Sequence, residues 1–212
     1  MPRAFNGSRV TPRASGRSYA AVAGLVMLGC AALLPAGCAA PPLTLYTLGA
    51  PAQAADASPL GARPVVIEVA RVAVPDELDT EDINVRDGSI LRRSQTGRWA
   101  SRLSVGITDR LTSRLAARRP DALVTDRPQT EAPTDRVLVS ISRLDVTPKG
   151  VATLAANWLI VPRDPARPTR RDRGLFSVTG PVAADQDVVT LEGMLVDRLA
   201  DAIDLSRPGQ GT

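Results

Sequence analysis

Cys38 is the residue in this sequence whose type and setting best predict a defined chemical modification. It follows the small residues Ala36 and Gly37, and the apolar pair Leu33-Leu34 stands just before Pro35. A cysteine released as a new N-terminal residue can carry a diacylglycerol on its thiol and a further acyl chain on its amine. Because each buried methylene contributes about 0.8 kcal/mol, several chains together give a stable membrane anchor. The pattern therefore predicts lipid attachment at Cys38.

The segment before Cys38 is typical of a cleavable secretory signal. Residues 1–37 contain four arginines and no acidic residue, and the arginines precede an apolar run over 20–34. That run is shorter than the ~20 residues that a helix needs to cross a bilayer. An uncleaved membrane anchor is the alternative, and Cys30 is a second candidate for acylation. We expect a signal peptide at 1–37 and a lipidated tether with a short strand at 38–63.

The composition removes several kinds of catalytic and binding site. The chain has no histidine, which removes Ser-His-Asp and Cys-His catalysis and the commonest protein ligand of zinc and copper. Without the four signal arginines, 22 basic residues remain against 22 acidic ones, and this balance does not favour nucleic acid as a partner. No nucleophile with a base, glycine-rich phosphate loop or catalytic carboxylate pair stands out. The residues therefore name no catalytic chemistry, and we expect no cofactor.

Two charged segments could bind a ligand but are better explained as solvated loops. Five carboxylates lie within 76–82, but this segment lacks the glycine turn and the spaced bidentate glutamate of a calcium loop. Four arginines lie within 167–173 and could contact anionic lipid headgroups, although Asp164 and Asp172 dilute their charge. We expect no metal site, and we expect the arginines to lie in a solvated turn.

The elements that position these residues follow from the periodicity of the apolar positions. Residues 65–74 alternate as a strand, with a change of phase near Ala70 that suggests a bulge. Asp87-Gly88 is typical of a hairpin turn between two short strands. Apolar residues then recur every four positions on an amphipathic helix that ends near Pro120. These helical positions are Trp99, Leu103, Ile107, Leu111 and Leu115.

The second half of the chain again places strands before a helix. Residues 136–146 and 151–161 form a predicted hairpin, with Trp158 on the apolar face of its second strand. A strand over 175–179 and an amphipathic helix with Asp187 as its N-cap follow. This order predicts an α+β fold: a largely antiparallel sheet with two amphipathic helices packed on one face.

The order of these pieces resembles the ABC-type transport auxiliary lipoprotein family, the PqiC-like lipoproteins of MCE-type lipid transport systems. A Tyr-Thr-Leu strand begins eight residues after Cys38. A strand–proline–acidic loop, a valine-arginine strand, a tryptophan at the start of the first helix and a central hairpin then follow in the family's order. One departure is Ser101-Arg102, where the family often has a Glu-Pro pair. The candidates for structural or partner contacts in the matching segments are Tyr46, Arg86, Trp99 and Trp158.

The resemblance implies a non-enzymatic accessory lipoprotein with a single auxiliary domain, which we place at 64–206 with family similarity from about residue 44. The implied partners are an MCE-domain substrate-binding protein, its permease and ATPase, and the membrane; a homo-oligomer is a further option. Ala39 after the cysteine favours the periplasmic face of the outer membrane.

Two alternatives stay open at this stage. One is an outer-membrane assembly or cell-wall-regulating lipoprotein, and the other, with less support, is a periplasmic hydrolase. The state of Tyr46 separates the first of these from the transport role. A docked Tyr46 strand favours transport, whereas a mobile one favours a domain that must reach peptidoglycan on a long tether.

Overall fold

The computed structural model describes residues 42–48 and 65–205. The predicted signal peptide, Cys30, Cys38 and most of the predicted tether lie outside these residues. Neither helix in the described part has the length and hydropathy needed to cross a bilayer. In chain order, the elements are β1 (Thr44–Tyr46), β2 (Val65–Val69), β3 (Asp82–Asp87), β4 (Ile90–Trp99), α1 (Leu103–Arg118), β5 (Ala122–Thr125), β6 (Asp135–Val146), β7 (Val151–Pro162), β8 (Arg170–Thr179) and α2 (Asp185–Ala202).

Five strands form one sheet in the order β5-β2-β6-β7-β8. β2 runs parallel to β5 and to β6, whereas β6, β7 and β8 are antiparallel neighbours. The predicted long hairpin of β6 and β7 is confirmed, and it turns at Gly150, whose φ of +75° costs glycine little. β2 ends at Val69 and Val72 is buried again, which confirms the change of phase predicted near Ala70.

Three strands form a second sheet in the order β1-β4-β3. β3 and β4 are the predicted hairpin around Gly88, whose φ is +63°. β1 lies parallel to β4 at the edge of this sheet. The predicted α+β class is confirmed, and both sheets are mixed rather than purely antiparallel. β2 pairs in parallel with β5 because the β3–β4 hairpin and α1 intervene, and a connection of that length allows the chain to return in the same direction.

The two helices pack against each other and against the five-stranded sheet. α1 contacts β5, and α2 contacts β6, β7 and β8. The apolar residues predicted to recur every four positions are buried on one face of α1 from Leu103 to Leu115, which confirms that part of the prediction. The apolar side of β7 completes the core. The buried residues at this interface include Leu103, Ile107, Leu111, Leu115, Leu154, Trp158, Leu191, Leu195 and Leu199.

Trp99 does not belong to the helical stripe that the sequence predicted. It is the last residue of β4, and α1 begins only at Leu103. Its distance of four positions from Leu103 matches the helical period, but a turn over 100–102 separates the two residues. Trp99 is nevertheless buried, because it reaches the core from the second sheet.

Asp187 is not the N-cap of the last helix. α2 begins at Asp185, after Ala184. The Asp187 carboxylate instead accepts a 3.0 Å hydrogen bond from the Ala184 N–H, which is the role of the third helical residue in a capping box. An acidic residue in the first turn also interacts favourably with the helix dipole.

The arginines at 170–173 lie in a strand rather than in the solvated turn that we expected. They occupy the first half of β8, which is an edge strand of the five-stranded sheet. Charged side chains on an edge strand discourage pairing with other chains. Arg167 lies before the strand and forms a 2.9 Å ion pair with the buried Asp135.

Candidate functional site

The N-terminal strand β1 brings two of the predicted site residues together. In the parallel register of β1 and β4, Tyr46 lies beside Trp99. The Ala100 N–H donates a 2.8 Å hydrogen bond to the Tyr46 carbonyl. Trp99 is buried, and the half-buried Tyr46 packs against the core. The strand nearest to the predicted lipid anchor is therefore docked on the domain.

Arg110 on α1 holds the end of this docked segment. Its Nη1 donates a hydrogen bond to the Leu48 carbonyl, while its Nε and Nη2 each lie 2.9 Å from the Asp197 carboxylate on α2. The Arg110 and Asp197 side chains are 24% and 26% exposed, so water screens this two-point pair less than it screens a surface ion pair. We call the contact among Leu48, Arg110 and Asp197 the Arg110 clamp. It ties the N-terminal segment to both helices.

Two helical glycines lie beside the Arg110 clamp, and one of them leaves it necessary space. A Cβ atom added at Gly193 on α2 would lie 3.1 Å from Arg110 Cζ, and one added at Gly106 on α1 would lie 3.4 Å from Leu48 Cβ. Glycine inside a helix costs up to about 1 kcal/mol relative to alanine, so its presence there calls for a packing reason. The close approach of the guanidinium supplies that reason at Gly193. The sequence carried this signal as a glycine in the middle of a helix, but it did not identify the partner.

Two open clefts flank β1. The first, of about 240 Å³, lies between β1 and α1 and is lined by residues that include Tyr46, Trp99 and Arg110. The second, of about 600 Å³, lies between β1 and α2 and is lined by residues that include Leu45, Tyr46 and Met194. The first cleft is lined mainly by apolar atoms, which is the character of sites that take an apolar ligand or an apolar segment of a partner, whereas polar and apolar atoms line the second cleft about equally.

Exposed apolar side chains gather beside the second cleft. Leu43, Leu45 and Met194 are 57%, 62% and 42% exposed. Leu43 directly precedes β1, two residues before Leu45. Leu45 and Met194 line the same cleft. We call these three residues the apolar strip.

A buried carboxylic acid lies near Trp99. Glu192 on α2 is 5% exposed, and its Oε2 has no hydrogen-bond partner among the described residues. Burial raises the pKa of Glu192 to about 8, since the apolar surroundings disfavour the charged form. Glu192 and Trp99 line a cavity of about 10 Å³, roughly the space of a single water molecule. The sequence signal for this group is one acidic residue on the apolar face of the last helix.

Arg86 joins the two sheets. Its guanidinium on β3 pairs with Asp145 on β6, and Arg143 Nε lies 2.6 Å from the same carboxylate. Asp145 is buried, so two arginines offset the cost of removing its charge from water. Arg86 also lines the small cavity that Trp99 borders.

The structure places the fourth candidate, Trp158, apart from the other three. Trp158 is buried on β7 opposite Val139, and it borders a separate shallow cleft with Arg170 and Asp172. Tyr46, Arg86 and Trp99 therefore lie in one region around the second sheet, whereas Trp158 is part of the core of the five-stranded sheet.

The acidic segment 76–82 helps to begin α1. The Asp79 carboxylate accepts a 2.9 Å hydrogen bond from the Ser104 N–H in the first turn of the helix. Burial works to raise the pKa of Asp79, but its hydrogen bonds to Ser104 and the charge of Arg102 outweigh burial and lower the pKa. Among residues 42–48 and 65–205, no three cysteine, aspartate or glutamate side chains converge in an arrangement that could hold a metal ion.

The chain resembles known proteins in both sequence and fold. A family model described as the ABC-type transport auxiliary lipoprotein component matches residues 46–204. The crystal structure of an uncharacterized protein superposes with a TM-score of 0.60 at 17% identity and covers 76% of this chain and 95% of that one. A protein from Xanthomonas campestris superposes with a TM-score of 0.54 at 15% identity, covering 74% and 90% of the two chains. At these identities the likeness establishes a shared fold. None of the curated proteins matches this chain in sequence.

Proposed function

Since the chain belongs to the family of ABC-type transport auxiliary lipoprotein components, we propose that it is a non-enzymatic accessory lipoprotein of an MCE-type ABC transport system. It acts at the periplasmic face of the outer membrane and helps to move lipids or other apolar molecules between membranes. Its partners are an MCE-domain substrate-binding protein and the associated permease and ATPase.

The proposed anchor is Cys38, exposed as the first residue when a signal peptide over 1–37 is removed. Acyl chains on its thiol and amine hold the protein at the membrane. Ala39, the next residue, favours the outer membrane over retention at the inner one. Cys30 leaves with the signal peptide, so the mature protein has no free thiol.

The docked N-terminal strand is the observation that carries this proposal. β1 begins at Thr44, six residues after Cys38, and six residues span at most about 20 Å. The pairing of Tyr46 with Trp99 and the Arg110 clamp hold the strand on the domain. A domain held this close to its anchor is suited to work beside the membrane on a partner complex. A long mobile tether, as a cell-wall-regulating lipoprotein needs, has no support in this arrangement.

The ion pairs of the domain support a binding role rather than catalysis. Asp145 pairs with Arg86, Asp82 lies 3.1 Å from Arg98, and Asp197 pairs with Arg110. Each of these carboxylates connects two elements of the fold. A carboxylate that works as a general acid or base must instead meet a substrate proton within hydrogen-bond distance.

Affinity purification of the acylated protein from membranes in mild detergent tests the proposal. We expect an MCE-domain protein to be recovered with it. The control bait keeps residues 1–41 and the tag but carries an unrelated periplasmic domain, so it reports binding through the anchor alone. Recovery of no MCE-domain protein, or of the same amount with the control, contradicts the proposal. Recovery of outer-membrane assembly or peptidoglycan-synthesis proteins instead supports the alternative function.

A further inference from the structure

The exposed apolar side chains of the described domain are unevenly distributed. Six large ones are exposed, and three of these form the apolar strip of Leu43, Leu45 and Met194. The other three, Ile90, Val151 and Leu175, lie on separate strands or at their ends. Single exposed apolar residues are ordinary, whereas a group beside a cleft marks a surface that another molecule covers.

The apolar strip lies at the point where the chain arrives from the proposed anchor. Leu43 is five residues after Cys38, and five residues reach at most about 18 Å when fully extended. A domain of about 150 residues has a radius of gyration of roughly 15 Å and hence a diameter of roughly 40 Å. The segment from Cys38 to Leu43 is therefore shorter than half the diameter of the domain. Leu43 can therefore lie no farther than about 18 Å from a Cys38 that is held at the membrane.

From this geometry we infer that the apolar strip is a bilayer contact, in which Leu43, Leu45 and Met194 enter the headgroup region of the membrane that holds the Cys38 anchor. This inference rests on the proposed lipid attachment and extends it from a tether to a defined orientation of the domain. Apolar side chains on a surface held against a membrane gain free energy by leaving water for the acyl boundary.

The acidic side chains beside the strip have partners. Asp187 and Asp201 lie two helical turns before and after Met194 on the same face of α2; Asp187 accepts a hydrogen bond from the Ala184 N–H, and Asp201 lies 3.7 Å from Arg114. Asp197 on α2 is neutralised by Arg110 and lies 3.4 Å from Arg114. Arg198 is exposed one helical turn after Met194, where its guanidinium can reach phosphate groups at the membrane surface. In this orientation the second cleft, which Leu45 and Met194 line, faces the bilayer.

Site-specific fluorescence tests the orientation on the intact acylated protein. Single cysteines are introduced by Leu45→Cys and Met194→Cys and labelled with an environment-sensitive probe. The control is Leu175→Cys. Leu175 is 73% exposed, but it pairs with Ala155 on the side of the sheet opposite the neighbouring Phe176, which packs on the core. The labelled proteins are incorporated into vesicles of phosphatidylethanolamine and phosphatidylglycerol that contain a nitroxide-labelled lipid.

We expect probes at residues 45 and 194 to shift to shorter wavelength and lose most of their fluorescence, while the probe at 175 keeps both its wavelength and its intensity. Equal quenching at all three positions, or none at 45 and 194 in vesicle-bound protein, overturns the inference.

The parent protein without an added cysteine separates this inference from the proposed anchor. If Cys38 is acylated, the parent takes no label and binds vesicles, and the quenching pattern then judges the orientation alone. If the parent takes label at Cys38 or stays out of the vesicles, the anchor assignment fails and the orientation fails with it.

Discussion

Arg110 of α1 and Asp197 of α2 form a two-point ion pair in which Nε–Oδ1 and Nη2–Oδ2 are each 2.9 Å apart. The same guanidinium reaches the Leu48 carbonyl at the end of the N-terminal segment. A three-residue strand is marginal when it is held by its own hydrogen bonds alone. The pair between the two helices therefore also determines whether the strand nearest to the proposed anchor stays on the domain.

Replacement of Arg110 should loosen the N-terminal strand. Arg110→Leu leaves the partly buried Asp197 without its closest partner and the Leu48 carbonyl without a donor, and we expect a loss of roughly 2 kcal/mol of unfolding free energy. Chemical denaturation measures this loss. Hydrogen exchange at the Ala100 amide, which donates to the Tyr46 carbonyl, should accelerate more than exchange in β6 or β7.

Arg114→Gln is the matched control for that change. Arg114 approaches Asp197 at 3.4 Å but is 47% exposed, so we expect a loss below about 1 kcal/mol and unchanged exchange at Ala100. Equal effects of the two substitutions would show that the clamp has no particular role in docking β1.

Gly193→Ala should destabilise the protein although alanine is the better helix former. The new methyl group would lie 3.1 Å from Arg110 Cζ and would displace the guanidinium from Asp197, at a cost of about 1 kcal/mol or more. Gly106→Ala is the comparison, because its methyl group would meet Leu48 Cβ at 3.4 Å, an ordinary contact. There we expect a gain of up to about 1 kcal/mol. Thermal unfolding of both variants measures the difference, and a gain for Gly193→Ala contradicts the packing role of that glycine.

Glu192 should make stability decrease as pH rises. The folded protein holds this carboxyl with a pKa raised from 4.5 to about 8, so the unfolded chain releases its proton first. The part of the unfolding free energy that depends on this proton is fully present below pH 4.5, decreases as pH rises, and is lost once pH passes about 8. Glu192→Gln removes this dependence. The unfolding free energy of the variant minus that of the wild type should therefore increase by on the order of 4 kcal/mol as pH rises from about 5 to about 9.

Urea denaturation at a series of pH values measures the effect of Glu192. Glu77→Gln, at an exposed position of the acidic segment, is the control and should follow the wild-type curve. Parallel curves for wild type and Glu192→Gln would show that the buried carboxyl does not titrate with folding.

Trp158→Ala should be among the most costly single substitutions in the domain. The indole is buried between α2 and the five-stranded sheet, and loss of a core tryptophan typically costs ~3–5 kcal/mol. Leu175→Ala, at a position that is 73% exposed, should change stability by less than about 0.5 kcal/mol. A denaturation midpoint that Trp158→Ala leaves unchanged contradicts the placement of this side chain in the core.

Cys38→Ser should release the protein from the membrane. The serine hydroxyl does not receive the diacylglycerol, so we expect the acyl mass to be absent and the protein to leave the membrane fraction. Mass spectrometry and fractionation measure both outcomes. Cys30→Ser is the control and should leave acylation and location unchanged; loss of the acyl mass in Cys30→Ser alone would assign the anchor to Cys30.

Much of the fold could be predicted from local patterns. The hairpins at Gly88 and Gly150 follow from turn residues between alternating segments, and the buried stripe from Leu103 to Leu115 follows from the helical period. Trp99 shows where that reasoning stops. Its spacing fits the helix, but it ends a strand, because the pairing of β4 with the distant β1 determines its conformation. Arg171 and Arg173 are exposed as predicted, but they lie in β8 rather than in a turn. Within the solvated acidic segment, the sequence did not show that Asp79 caps α1.

The sequence by itself determined the predicted export signal, the candidate acylated cysteine, the α+β class and the apolar faces of the elements, since each depends on residues near one another in the chain. Only the tertiary structure decided that β1 pairs with β4, that Arg110 meets Leu48 and Asp197, and that Glu192 Oε2 is buried with no hydrogen-bond partner in the described part of the chain. These contacts join residues more than 50 positions apart, and no local period encodes them. Their geometry arises when two sheets and two helices bury a common core, and that packing brings β1, the Arg110 clamp and the two clefts to one side of the domain.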